Sequence, residues 1–142
     1  DFDFSNGQIS NSEFFKIGGD AIDFSGSDAI ISNTAIDQVY DKGISVGEKS
    51  NIEIDNVSIK NSNIGIVSKD SSKTFINNSE IKNIGKFSLM TFKKKNIFNY
   101  PYLEIKNSKF ELNKAVNQNG STFIYDGKIL PSEEFDINML YN

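Results

Sequence analysis

The sequence predicts an all-β fold, a right-handed parallel β-helix solenoid of about five coils of ~22 residues with a C-terminal capping segment. Three observations predict it. An Asn recurs as Asn11, Asn33, Asn56, Asn78 and Asn107, at intervals of 22, 23, 22 and 29 residues. An Ile stands two positions before each (Ile9, Ile31, Ile54, Ile76, Ile105), and a Phe or Ile three positions after (Phe14, Ile36, Ile59, Ile81, Phe110). Between them lie varied positions such as Gln8, Ile30, Glu53, Phe75 and Glu104, so fixed and free residues alternate.

Period-two alternation puts the fixed Ile and Phe on one face of a strand and the free residues on the other. Each unit then has a strand, a corner at Asn and another short strand. Asn suits the corner because it tolerates left-handed backbone angles, and stacked amides can hydrogen-bond from coil to coil. The five Asn are therefore expected to form a structural ladder. Ile suits the interior because β-branched side chains pack well on a pleated surface. A small or β-branched residue follows each Asn: Ser12, Thr34, Val57, Ser79 and Ser108.

A second region repeats in "GDAIDFSGS", "KGISVGEKS" and "IGIVSKDSS". Here Ile22 and Phe24, Ile44 and Val46, and Ile66 and Ser68 are expected to point inward, and Asp23, Ser45 and Val67 outward. Each coil thus has three short strands, each pairing with its equivalent one coil away at ~4.8 Å. A leucine-rich horseshoe fits less well. It is built on Leu with two residues before its Asn, whereas "IEIDN" has Ile and one residue.

The repeat breaks in two places, and breaks are where a solenoid places function or ends. The longest interval holds an insertion, "FKKKNIFNYPY", from Phe92 to Tyr102. Lys93, Lys94 and Lys95 with Tyr100 and Tyr102 form a candidate site for an acidic polysaccharide, ammonium groups pairing carboxylates and rings lying on sugar faces. The competing reading is a loop that covers the solenoid. After Asn117 the pattern fades into "STFIYDGKIL", a hairpin about Asp126-Gly127, and "PSEEF", the first turn of a helix.

The expected organisation is a single domain over residues 1–142, with repeat coils over 1–117 and a cap over 118–142. The start, "DFDFSNGQ", shows no cap and no initiating Met. The expectation is a processed product or a fragment of a longer chain, whose first coil meets an upstream domain or a partner.

Composition removes several chemistries. The chain has no Cys, His, Trp or Arg, so it holds no Ser/His/Asp triad, Cys/His pair or His/Cys zinc site. Its 19 acidic and 15 basic residues leave a net charge of −4, which disfavours nucleic acid as a partner. No apolar run reaches the ~18 residues of a membrane span.

The units "IDNVSIKNSNIGIV" and "INNSEIKNIG" resemble the parallel β-helix repeats of the pectate-lyase-like superfamily, over about residues 1–117. The run "DAIDFSGSDAIISNTAI" and its continuation to "SKDSS" resembles β-helical modules of bacterial surface proteins, some attached to spore-coat kinase-like domains. The second resemblance implies an extracellular or cell-surface location.

In pectate-lyase-like enzymes a groove along one strand face carries acids that hold calcium and a Lys or Arg that abstracts a proton. That resemblance makes Asp20, Asp23 and Asp41 candidate calcium ligands, with Lys42, Glu48, Lys49, Lys69 and Asp70 nearby. The lack of Arg, and the change from Asp23 to Ser45 to Val67 along the outward column, argue against catalysis, and no catalytic residue is assigned. Two functions follow. The first is a noncatalytic structural or glycan-associated module of a bacterial surface or secreted protein. The alternative is a calcium-dependent lyase or epimerase acting on uronate-containing glycans.

Overall fold

A computed structural model describes residues 1–141, and Asn142, the last residue of the expected cap, lies outside the described residues. The chain winds through β1 (Phe2–Asp3), β2 (Asn6–Ser10), β3 (Glu13–Ile17), β4 (Ile22–Ser25), β5 (Asp28–Gly47), β6 (Asn51–Lys69) and β7 (Lys73–Asn77). It continues through β8 (Glu80–Lys82), β9 (Phe87–Phe92), β10 (Tyr102–Lys106), β11 (Val116–Asn117), β12 (Thr122–Tyr125) and β13 (Lys128–Ile129). The result is a β-solenoid of about 6 turns, the last rung coming from β12 beyond the final Asn anchor. All ladders between these strands are parallel except β12 with β13.

The predicted columns stack in register. Ile9 lies over Ile31, then Ile54, Ile76 and Ile105, and a second column runs Ile22, Ile44, Ile66 and Leu89. All are buried and belong to one continuous core. Parallel in-register pairing places each residue above its equivalent, so one β-branched residue that fits the interior fits it on every rung.

Each full turn has three corners marked by left-handed backbone. The Asn column has φ between 48° and 53°. A second column, absent from the sequence reading, is Lys16, Gln38, Asn61 and Asn83, with φ of 54° to 57°. The third runs through Phe4, Gly26, Glu48 with Lys49, and Asp70 with Ser71. No single residue type repeats in the second and third, so the sequence carries no periodic signal of them.

The Asn ladder is partial and lies on the outside. Asn56 Nδ2 donates to Asn33 Oδ1 at 2.7 Å, while Asn78 Nδ2 donates to Asp55 Oδ1 at 2.8 Å. The hydroxyls that follow the Asn do the inner work. Ser79 Oγ donates to the Asn77 carbonyl at 2.9 Å and accepts from the Val57 N–H at 3.1 Å, tying two rungs together.

Two expectations fail. Asp23, Ser45 and Val67 do not form an open outer face, since Ser45 and Val67 are fully buried. Phe135, Ile137 and Leu140 of the C-terminal segment pack over Ile64, Val67, Met90, Phe92 and Val116, making a second apolar layer. Apolar Val67 and Met90 on an outer face need such a cover, because exposed they would leave an apolar stripe in water. Nor does "PSEEF" start a helix. Glu133 bridges to Gln118 as a strand would, and the helical turn is a 3₁₀ segment, Ile137–Leu140, capped by Asp136.

The hairpin is as expected. Asp126 and Gly127 have φ of 46° and 77°, and both central residues of a type I′ turn need positive φ. At the other end, among the described residues β2 and β3 pair only with β5, leaving an edge beside half-buried Phe2, Phe14 and Ile17.

Candidate functional site

The densest group of charges lies outside the track formed by β4, the last part of β5, the last part of β6, and β9. Lys42 is its centre. Its Nζ donates to Asp41 Oδ2 at 2.8 Å and to Asp20 Oδ1 at 3.2 Å, and its side chain is only 7% exposed. Burial works against the Lys42 ammonium, but the Asp41 hydrogen bond and the Asp20 charge outweigh it and hold its pKa above the usual lysine value. Asp20 is pushed up by burial, which the Lys42 charge offsets in part and the neighbouring Asp41 charge reinforces. Two carboxylates sharing one ammonium cannot both be fully compensated.

Lys69 reaches the same region from the next rung. Its stem crosses Gly47 so closely that a Cβ there would lie 2.8 Å from Lys69 Cε. Burial pushes the Lys69 pKa down; the Asp23 charge opposes that shift, and Lys94 and Lys42 add to it. Asp23 Oδ1 and Ser45 Oγ, neighbours in register, are buried and have no hydrogen-bond partner among the described residues. Tyr141 closes the group from the C-terminal segment, its ring 4.1 Å from Lys94 Nζ and 5.9 Å from Lys42 Nζ. Burial holds the Tyr141 hydroxyl above its ordinary pKa.

This geometry does not make a calcium site of Asp20, Asp23 and Asp41. Calcium takes roughly 6–8 oxygen ligands, yet Asp20 and Asp41 both bind the Lys42 ammonium, which stands where a cation would. Among the described residues no group of three or more carboxylates is placed to hold a metal ion.

The five residues of the insertion do not form one patch. Lys93 Nζ lies 4.5 Å from the Tyr100 ring, Lys94 turns to Tyr141, and Lys95 pairs with Glu48. Tyr102 belongs to β10 on another side, its ring 5.7 Å from Phe75. The loop is pinned by Asp70, whose buried Oδ1 accepts the Lys94 and Lys95 N–H groups at 2.7 and 2.8 Å. The sequence sets Asp70 only among the charges near the candidate calcium ligands. Its role depends on a loop that arrives a full turn later, and nothing local signals it.

A groove lies elsewhere, along the first corner. About 950 Å³ in volume, it is lined by Asn11, Asn33, Asn56, Asn78 and Asn107, with hydroxyls beside them. From the sequence these Asn are expected only as a structural ladder.

The model of the right handed beta helix region matches residues 2–138, nearly the whole chain. The chain belongs to the right-handed β-helix family. No curated protein and no solved structure matches this β-helix at a significant level. Family membership accounts for the stacked Ile core and the corners. It assigns no reaction, because one scaffold carries unrelated functions. The site itself can hold charges in a partly dry setting, with Lys69 nearer to neutral than an exposed lysine, and its cover rests on apolar contacts.

Proposed function

We propose that this β-helix is a noncatalytic structural and glycan-associated module of a bacterial surface or secreted protein. The observation that carries the reading is the contrast between its faces. The Asp/Lys cluster is internally paired, with the Tyr141 ring 5.9 Å from Lys42 Nζ, whereas the open groove crosses the rungs lengthwise and is lined by amides and hydroxyls. Amides offer both a donor and an acceptor, the pairing that a chain of sugar hydroxyls takes. The likeness of residues 20–72 to modules of bacterial surface proteins supports a place outside the cell.

Calorimetric titration with neutral and acidic oligosaccharides tests the binding. Saturable heat with any of them supports glycan association, and its absence across the set leaves a spacer. If acidic glycans bind through the insertion, the triple change of Lys93, Lys94 and Lys95 to Ala removes that binding. The open edge of β2 and β3 is, on this reading, the face that an upstream domain or partner meets.

One observation favours a second reading, a uronate lyase or epimerase. Lys69, with its lowered pKa, lies near Asp23 in the charged cluster, and a lysine held toward neutrality can take a proton. The residues present do not fit calcium, so no step is assigned to a metal. Assaying unsaturated sugar ends and epimerised products, with and without added calcium, decides this reading. Product that disappears in Lys69→Met would establish it.

A further inference from the structure

The three corner columns place the same demand on the backbone but answer it differently. The second accepts Lys16, Gln38, Asn61 and Asn83, and the third accepts Phe4, Gly26, Glu48 and Asp70, all with positive φ. Left-handed backbone alone therefore does not require Asn in this chain. Yet the first corner is Asn on all five rungs, and every one is exposed.

Bonding between rungs explains part of this uniformity. The amide of Asn56 donates to Asn33 and that of Asn78 to Asp55. Among the described residues, the side-chain amides of Asn11 and Asn107 bond no other protein group, although both line the groove. The column thus keeps amides that neither the backbone nor the ladder needs.

We propose that this groove binds an uncharged, hydroxyl-rich glycan chain lying along the solenoid axis, the Asn column presenting one amide per rung. Three features select that ligand. Adjacent rungs repeat at ~4.8 Å, so the amides form an evenly spaced row that suits an extended polymer. Each amide both donates and accepts, as each sugar hydroxyl does. The charged side chains of the lining are Glu13, Glu80 and Lys109, a net negative set that works against uronates. The proposal rests on the glycan-associated reading and names its groove and its sugar class.

The test uses the whole chain with short oligomers of β-linked glucose and of N-acetylglucosamine, and a galacturonate oligomer for comparison. Calorimetry should show saturable binding of a neutral oligomer that tightens with oligomer length. Asn33→Gly, Asn56→Gly and Asn78→Gly combined keep the left-handed corners and remove three amides. That variant should bind roughly tenfold more weakly, or worse, with the circular dichroism unchanged.

The Lys93, Lys94 and Lys95 triple Ala variant should bind neutral oligomers as the parent does. In the unmodified protein, neutral oligomer should shift the side-chain amide resonances of Asn33, Asn56 and Asn78, a readout independent of any variant. Neutral binding that leaves those resonances still overturns the groove assignment. Binding of galacturonate alone, through the lysines, overturns it too but keeps the glycan reading. No binding of any oligomer removes both.

Discussion

At Gly65 an added Cβ would run into the Ser88 carbonyl oxygen and lie 2.7 Å from Ile81 Cγ2. Gly43, one rung earlier, would meet the Gly65 carbonyl oxygen at 2.8 Å and Ile59 Cγ2 at 2.8 Å. Both atoms in each case are backbone or packed core, so neither can move cheaply. Gly65→Ala is expected to lower stability by about 1–3 kcal/mol or more, measured by urea denaturation.

Lys69 gives a second expectation at this scale. Its folded pKa is below the ordinary value of 10.5, so between the two the unfolded chain holds more protons and stability rises with pH. At pH 7 burial works against the charged form of Lys69. Lys69→Met should melt roughly 2–5 °C higher at that pH. The gap should close as the parent is titrated toward 10.5, and a gap that does not change with pH would assign the gain to packing alone.

The inward Ile columns and the Asn corners were legible because each is set by a residue's own rung. The pairing of Lys42 with Asp20 and Asp41 was not, because a string of residues holds both signs of charge without the angles that decide between a metal ligand and an ion pair.

Among the elements, the C-terminal segment has the largest effect on what the surface offers. The Phe135 ring meets Phe87 edge-on at 5.6 Å, and the segment is pinned by Glu133 N–H to the Asn117 carbonyl at 2.9 Å and Gln118 Nε2 to the Phe135 carbonyl at 3.1 Å. Phe135→Ala removes the central apolar contact of a half-buried ring, a loss of about 2 kcal/mol and less than for a fully buried Phe. Limited proteolysis should then cut within residues 131–141 while the coils stay intact. Equal resistance in variant and parent would show that the hydrogen bonds hold the segment alone. The Asp126-Gly127 hairpin could be read from two residues because its turn is local. The strap could not, because its docking face is assembled from strands far upstream.

For the whole molecule, the two ends differ. The last rung is closed by the β12–β13 hairpin, whereas β2 and β3 leave an edge beside Phe15, 54% exposed, and Phe4, 84% exposed. Unpaired strand edges pair with other strands unless charge or cover blocks them. Sedimentation should therefore show association that grows with concentration, weakened by Phe15→Lys. A single species at all concentrations in the unmodified protein would count against that edge as a docking face.

The solenoid is written in the residue order alone, because parallel in-register stacking turns each structural column into a periodic string of residues. Which outer faces stay open, which lysines are already paired, and that Ser45 and Val67 are buried follow only from how the folded segments meet. Those outcomes depend on contacts between segments distant in the chain, where burial and charge are set by geometry rather than by period.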